Sequence, residues 1–254
     1  MAKRISTVPG PSRNRRSYED GCAAAHALDL VGDRWALLVV RELLLGPRRF
    51  SDLRQALNGI SPNVLSQRLA DLEAAGIVER RSLLPPASCR VYALTPWGMQ
   101  LETALLELFK WGVRSPTFLR GQPLTADAMA LSLKATFLPE KAAKFATRVT
   151  LFMNDHAYHV GVDRQTLAVV RGEPPCYPGE AGVWASAVLY AEPVVVLQLA
   201  YAKRPLQEAL NANDCRVEGD AGVLTRFFSC FEVPAPLTMA AGHTQLAAHQ
   251  PRLL

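Results

Sequence analysis

Between Phe50 and Gly76 the chain sets two short amphipathic segments on either side of a three-residue break, Asn58-Gly59-Ile60, and that spacing constrains the fold more than any other feature. In FSDLRQAL, Phe50, Leu53 and Leu57 recur at helical spacing, with Ser51 the expected N-cap. In SPNVLSQRLADLEAAG, Ser61 is the expected cap, and Pro62 takes the first helical position. Leu65, Leu69 and Leu72 then form the buried stripe, and Gly76 stops the helix. Two short helices around a glycine-containing turn predict a helix-turn-helix.

The flanks extend this unit. Upstream, Ala24, Ala27, Leu28 and Val31 recur at helical spacing before Gly32. Asp33 is then the expected cap of RWALLVVRELLLG, a segment apolar on nearly every side and so a central buried helix, ended by Gly46 and Pro47. Downstream, Ile77 to Arg81 reads as extended, and Arg90 to Thr95 alternates like a strand returning across SLLPPASC, which predicts a wing. Thr95-Pro96 caps a further helix with Leu101, Leu105, Leu108 and Trp111 on one side, more apolar surface than a small domain needs.

The second helix of the motif turns Asn63, Ser66, Gln67 and Ala70 away from its leucine stripe, with Arg68 beside them. Amides can pair bidentately with adenine, and small residues let a backbone approach base edges, so this face suits a major groove. Arg48 and Arg49 precede the first helix, while Arg80, Arg81 and Arg90 would line the wing. A cluster of arginines around one such motif favours phosphate binding, with Ser51 and Ser61 as neutral contacts beside it.

Charge follows the same division. Residues 1–120 hold 17 Lys and Arg against 11 Asp and Glu, whereas residues 121–254 hold 11 against 12. The basic excess thus lies in the first half, as expected if that half meets a polyanion. We expect a basic arm over 1–17, a winged helix-turn-helix unit over 18–114, a linker over 115–123, an α+β domain with an antiparallel sheet over 124–233, and a loose tail over 234–254. In the α+β part, helices are expected over 124–137, 193–202 and 205–211, and strands over 148–153, 158–163, 167–171, 183–190 and 215–218. Asp220 caps a last helix carrying Val223, Leu224, Phe227 and Phe228.

With these elements in order, residues 22–112 resemble the HxlR family of bacterial winged-helix transcriptional regulators, a branch close to MarR-type regulators. The resemblance rests on Cys22, VGDRWALLVVRELLLGPRRFSDLRQAL, GISPNVLSQRLADLEAAGIVERR and RVYALTPWG; the family's usual proline after the cysteine is Ala23 here. It implies a homodimer, formed by helices before and after the wing unit, that binds double-stranded DNA with two recognition helices in successive major grooves. It also implies that Cys22 is a candidate redox sensor. A helix N-terminus favours the thiolate, while Glu19 and Asp20 nearby would oppose it. The second half more weakly resembles the sterol-carrier-protein-like domain, through LAVVRGEPP and CRVEGDAGVLTRFF, which implies an apolar effector pocket involving Phe152, Trp184, Phe227 or Phe228.

Other chemistries find less support. No apolar run reaches the roughly 18–20 residues of a bilayer span, and the N-terminus lacks a secretory apolar stretch, so a cytoplasmic protein without a membrane anchor is expected. Five scattered cysteines suggest neither a disulfide framework nor a zinc site. Asp155, His156 and His159 lack a completing ligand and read as polar side chains facing solvent. No phosphate loop, GxSxG or HExxH occurs, so neither an enzyme nor a cofactor is expected. The rival to a regulator is a lipid or apolar-ligand carrier whose winged helix serves protein contacts.

Overall fold

The structure, a computed structural model, describes residues 17–82, 89–119, 121–163, 165–173 and 186–237. The arm to residue 16, most of the wing loop (83–88), Cys176, Trp184 and the tail beyond 237 lie outside the described residues. The chain divides into two compact units, Met1–Leu105 and Leu106–Leu254.

The first unit runs α1 (Ala23–Val31), α2 (Ala36–Leu43), α3 (Phe50–Ala56), α4 (Pro62–Ala74), β1 (Val78–Ser82), β2 (Arg90–Leu94) and α5 (Pro96–Met99). It ends within α6 (Leu101–Gly112). Val39, Val40 and Leu43 of α2, Leu53 of α3, and Leu65, Leu69 and Leu72 of α4 form its buried centre. Each such side chain contributes roughly 1.5–3 kcal/mol by leaving water. Gly59 turns the chain between α3 and α4 at φ +86°, where a residue with a Cβ would be strained. After α4 the amides of Gly76 and Ile77 close back onto the carbonyls of Glu73 and Leu72, which starts β1 in register with β2.

Several local expectations change. Asp33 is not the cap of α2: Trp35 precedes that helix at φ +78°, and the Asp33 carboxylate is engaged elsewhere. Arg49, not Ser51, is the N-cap residue of α3, and Ser51 Oγ instead donates to Asp52 Oδ1 at 2.9 Å. Thr95 and Ser61 do cap their helices, accepting from the amides of Gly98 and Val64. The helix after Thr95 is broken at Gln100. Its first turn presses on Ile77, where a Cβ on Gly98 would come within 2.1 Å of the carbonyl oxygen, and the ladder there tightens to i→i−3. The helix α1 is largely exposed, with Val31 its buried residue and Leu28 open to solvent.

The second unit holds α7 (Ala126–Thr136), β3 (Ala146–Met153), β4 (His156–Asp163), β5 (Thr166–Arg171), β6 (Ala187–Ala191), α8 (Pro193–Ala200), α9 (Leu206–Asn211), β7 (Cys215–Gly219) and α10 (Ala221–Phe228). The five strands form one sheet in the order β5-β4-β3-β6-β7. Three pairings are antiparallel, but β3 and β6 run parallel, so the sheet is mixed where an antiparallel one was expected. The chain leaves β5 at one edge and returns beside β3, and a return of that length can re-enter in the same direction. Val149, Leu151, Tyr158, Val160 and Leu189 share one face and are buried; α7 packs on β5, and α10 on β3 and β6. Within this core Asp127 accepts from Tyr158 Oη at 2.5 Å and pairs with Arg171 Nη1 at 2.5 Å. Burial pushes the Tyr201 phenol up to about 12, although its hydrogen bonds with Ser132 and Thr136 pull the other way.

Candidate nucleic-acid interface

The leucine stripe of α4 decides which side chains the motif offers outward. With Leu65, Leu69 and Leu72 in the core, Asn63, Ser66, Gln67 and Ala70 are all exposed along one side of the helix. Pro62 at the first helical position and the Ser61 cap fix the helix start, so Asn63 sits in the first turn, where backbone amides point outward. Among the described residues Asn63 and Ser66 have no hydrogen-bond partner for their side chains. Gln67 Nε2 donates to Asp71 Oδ1 at 2.9 Å.

The arginines divide into three kinds. The guanidinium groups of Arg49 and Arg90 are exposed with no carboxylate partner among the described residues, although the Arg49 amide donates to Asp52 Oδ2 at 3.3 Å. Arg80 and Arg81 are exposed and paired with Glu73, at 3.0 Å, and with Glu79. Such pairs between half-exposed side chains are worth at most about 1 kcal/mol, so they give way readily to a phosphate. Arg80 also lies over the Tyr92 ring, its cross-strand neighbour, at 5.7 Å.

Arg48 corrects the sequence reading. It is buried, its Nε donates to the Glu42 carbonyl at 3.1 Å, and its guanidinium faces the fully buried Glu42 carboxylate. Its backbone bridges to Tyr92 of β2, so Arg48 fastens the wing to the helices instead of facing a phosphate. Arg68 is also drawn in, paired with Asp33 and Asp71. Two exposed arginines that sequence reasoning passed over are Arg34, ahead of the motif, and Arg54, within its first helix; no periodicity marks either.

Cys22 is exposed and precedes the first turn of α1. The backbone amides of Ala25 and Ala24 hold its thiol below the ordinary value. Burial instead pushes the thiols of Cys215 and Cys230 up.

In the second unit the three nominated aromatics within the described residues fall in two places. Phe227 and Phe228 are buried in a ring cluster with Phe231, at centroid distances of 4.9–5.2 Å. Phe152 lies on the opposite face of the sheet, stacked on Tyr190 at 4.7 Å. His159, expected to face solvent, is buried between Thr150 Oγ1 at 2.9 Å and the Gly172 carbonyl at 2.8 Å, while His156 is exposed. Among the described residues no group of three or more His, Cys, Asp or Glu is placed to hold a metal, and no helix is long and apolar enough to cross a membrane.

Comparison with known proteins finds relatives of the helix-turn-helix part. The profile described as HxlR-like helix-turn-helix matches residues 30–117. The HTH-type transcriptional regulator YvaP of Bacillus subtilis is 41% identical over 96 residues, which cover 37% of this chain and 88% of that protein. YodB of the same organism, also an HTH-type transcriptional regulator, is 37% identical over 86 residues, covering 34% of this chain and 76% of YodB. The solved reduced form of YodB from B. subtilis is 32% identical, covers 38% of this chain and 95% of that one, and superposes with a TM-score of 0.35. The profile match falls on the winged helix-turn-helix half. Regulators of this kind bind DNA and are not enzymes, and the chain belongs to the HxlR-like helix-turn-helix family of transcriptional regulators.

Proposed function

We propose that the protein acts as a homodimer on an operator of two related half-sites about one helical turn apart, with α4 of each protomer in the major groove. The observation that carries this is the pair Asn63 and Ser66, exposed and unpartnered among the described residues on the first turns of a helix whose other side is core. Asn63, Ser66 and Gln67 read base edges. Arg49, Arg90 and the exchangeable Arg80 and Arg81 follow the backbone, and Ser61 keeps its hydroxyl proton for a phosphate while its oxygen caps α4. The dimer is supported by α6, which buries no residue within one chain and leaves Leu108 and Trp111 exposed.

Control of this binding is assigned to Cys22, whose exposure and lowered thiol suit reaction with an oxidant or electrophile. An apolar effector is not part of this reading, because Phe152 and the Phe227 cluster lie on opposite faces of the sheet.

Fluorescence anisotropy tests the reading, using duplexes selected by the full-length protein from a randomised pool, scrambled controls and several salt concentrations. Asn63→Ala is expected to narrow the difference between selected and scrambled DNA by about 1–3 kcal/mol. Arg90→Ala is expected to weaken both alike and to reduce the salt slope by about 0.9 for each phosphate it ceases to neutralise. Equal loss of specificity from the two variants would refute the division of roles, and salt-independent binding or none would refute the DNA assignment.

A further inference from the structure

Gln67 and Arg68 share one carboxylate. Asp71, one turn further along α4, accepts from Gln67 Nε2 through Oδ1 at 2.9 Å and pairs with Arg68 Nη2 through Oδ2 at 3.3 Å. The other terminal nitrogen, Arg68 Nη1, donates to Asp33 Oδ2 in the turn before α2. This clasp differs from the wing pairs in two respects. It sets two carboxylates against one guanidinium, and the Arg68 side chain is only 17% exposed, against 55% and 51% for Arg80 and Arg81.

Charge then argues against a phosphate contact. Arg68 with Asp33 and Asp71 carries a local charge of −1, and Arg68 must break away from both carboxylates before it can neutralise a phosphate. Charge-assisted hydrogen bonds from a half-buried guanidinium are the stronger kind. Meanwhile Gln67, with Nε2 turned to Asp71, holds its Oε1 away from that carboxylate and keeps one N–H free. An amide that pairs with adenine needs one acceptor and one donor, so Gln67 retains its reading capacity while Arg68 does not.

We propose that Asp33 and Asp71 withhold Arg68 from DNA: Arg68 is a positioning residue that locks the reading helix to the turn before α2, and Asp71 orients the Gln67 amide. The proposal rests on the DNA-reading assignment above and refines it, since it removes from the DNA-touching residues the one cation that lies on the recognition helix itself.

The salt slope of binding separates a positioning role from a direct one, because only phosphate neutralisation releases counterions. The full-length protein is titrated against the duplex it selects from a randomised pool, over a range of salt. Arg68→Gln is expected to leave the slope unchanged; Arg68→Met, which keeps the aliphatic stem, serves as the second variant if the first unfolds in a circular-dichroism melt. The double replacement Asp33→Asn with Asp71→Asn frees Arg68, and is expected to steepen the slope by about 0.9 per protomer and to narrow the ratio of selected to scrambled affinity. Adding Arg68→Gln to that pair is expected to restore the original slope. A slope reduced by about 0.9 in Arg68→Gln alone would overturn the proposal, as would a steepening that persists in the triple variant, which would trace to carboxylate repulsion. Failure of the underlying reading is distinguishable, since it shows in the unmodified protein as no selected duplex.

Discussion

Replacing Asp127 by alanine tests the energetics of the second unit. The Asp127 side chain is fully buried on α7 and accepts from Tyr158 Oη, also fully buried, and from the Arg171 guanidinium, whose side chain is 10% exposed. Breaking a buried ion pair by removing one partner costs about 3–5 kcal/mol. Removing the acceptor of a buried phenol hydroxyl costs on the order of 1–3 kcal/mol, and the two costs overlap because both donors share one carboxylate. We therefore expect Asp127→Ala to destabilise the protein by about 4 kcal/mol. At about 2–4 °C per kcal/mol this lowers the midpoint of the corresponding thermal transition by on the order of 10 °C, read by calorimetry and by urea unfolding. The companion variant Asp127→Leu with Arg171→Met removes both charges together and is expected to recover most of the loss. A loss below about 1 kcal/mol for the single variant, or a pair no more stable than the single, would refute the account of this triad as a buried network that needs its carboxylate.

Two further outcomes are expected. The Cys22 thiol lies below its ordinary 9.0 through the amides of Ala25 and Ala24, so folding favours the thiolate: that contribution is present above the unfolded value and is lost as pH falls through the folded one. Iodoacetamide alkylation of Cys22 should accordingly rise with pH at a midpoint below 9.0 and shift upward in urea; a midpoint at or above 9.0 in the folded protein contradicts this. Trp111→Glu with Leu108→Glu places two charges on the exposed side of α6 and is expected to convert a sedimenting dimer to monomer and to weaken selected-duplex binding more than tenfold, whereas unchanged sedimentation would remove α6 from the dimer.

The winged unit is largely legible because its signals are local. The stripe Leu65, Leu69, Leu72, the Ser61 and Thr95 caps and the alternation in RVYAL depend on residues within one or two turns of each other. Errors arise where a side chain has a more distant partner. Asp33 looks like a cap because capping is the local use of an aspartate, but its carboxylate meets Arg68, 35 residues on. Arg48 reads as a surface cation because nothing in a linear sequence shows that Glu42, on an otherwise apolar helix, is buried and turns a guanidinium inward. In the second unit the elements are read nearly in place, including the Asp220 cap of α10, whereas the parallel β3–β6 pairing and the opposite facing of Phe152 and Phe227 are properties of the sheet order. His159 escapes sequence reasoning because its partners, Thr150 and Gly172, come together only when β3 and β4 pair and β4 is followed through to β5.

That central parallel pairing has a consequence in time. The ribosome completes the winged unit at Leu105, with every strand of its small sheet already made, but β3 cannot gain its inner neighbour until Ala187–Ala191 has been synthesised. At roughly 5–20 residues per second, the 34 residues from the end of β3 at 153 to the start of β6 at 187 take on the order of 2–7 s. Throughout that interval a folded helix-turn-helix half trails a nascent sheet whose inner edge is open, which is when a chaperone would have most to shield.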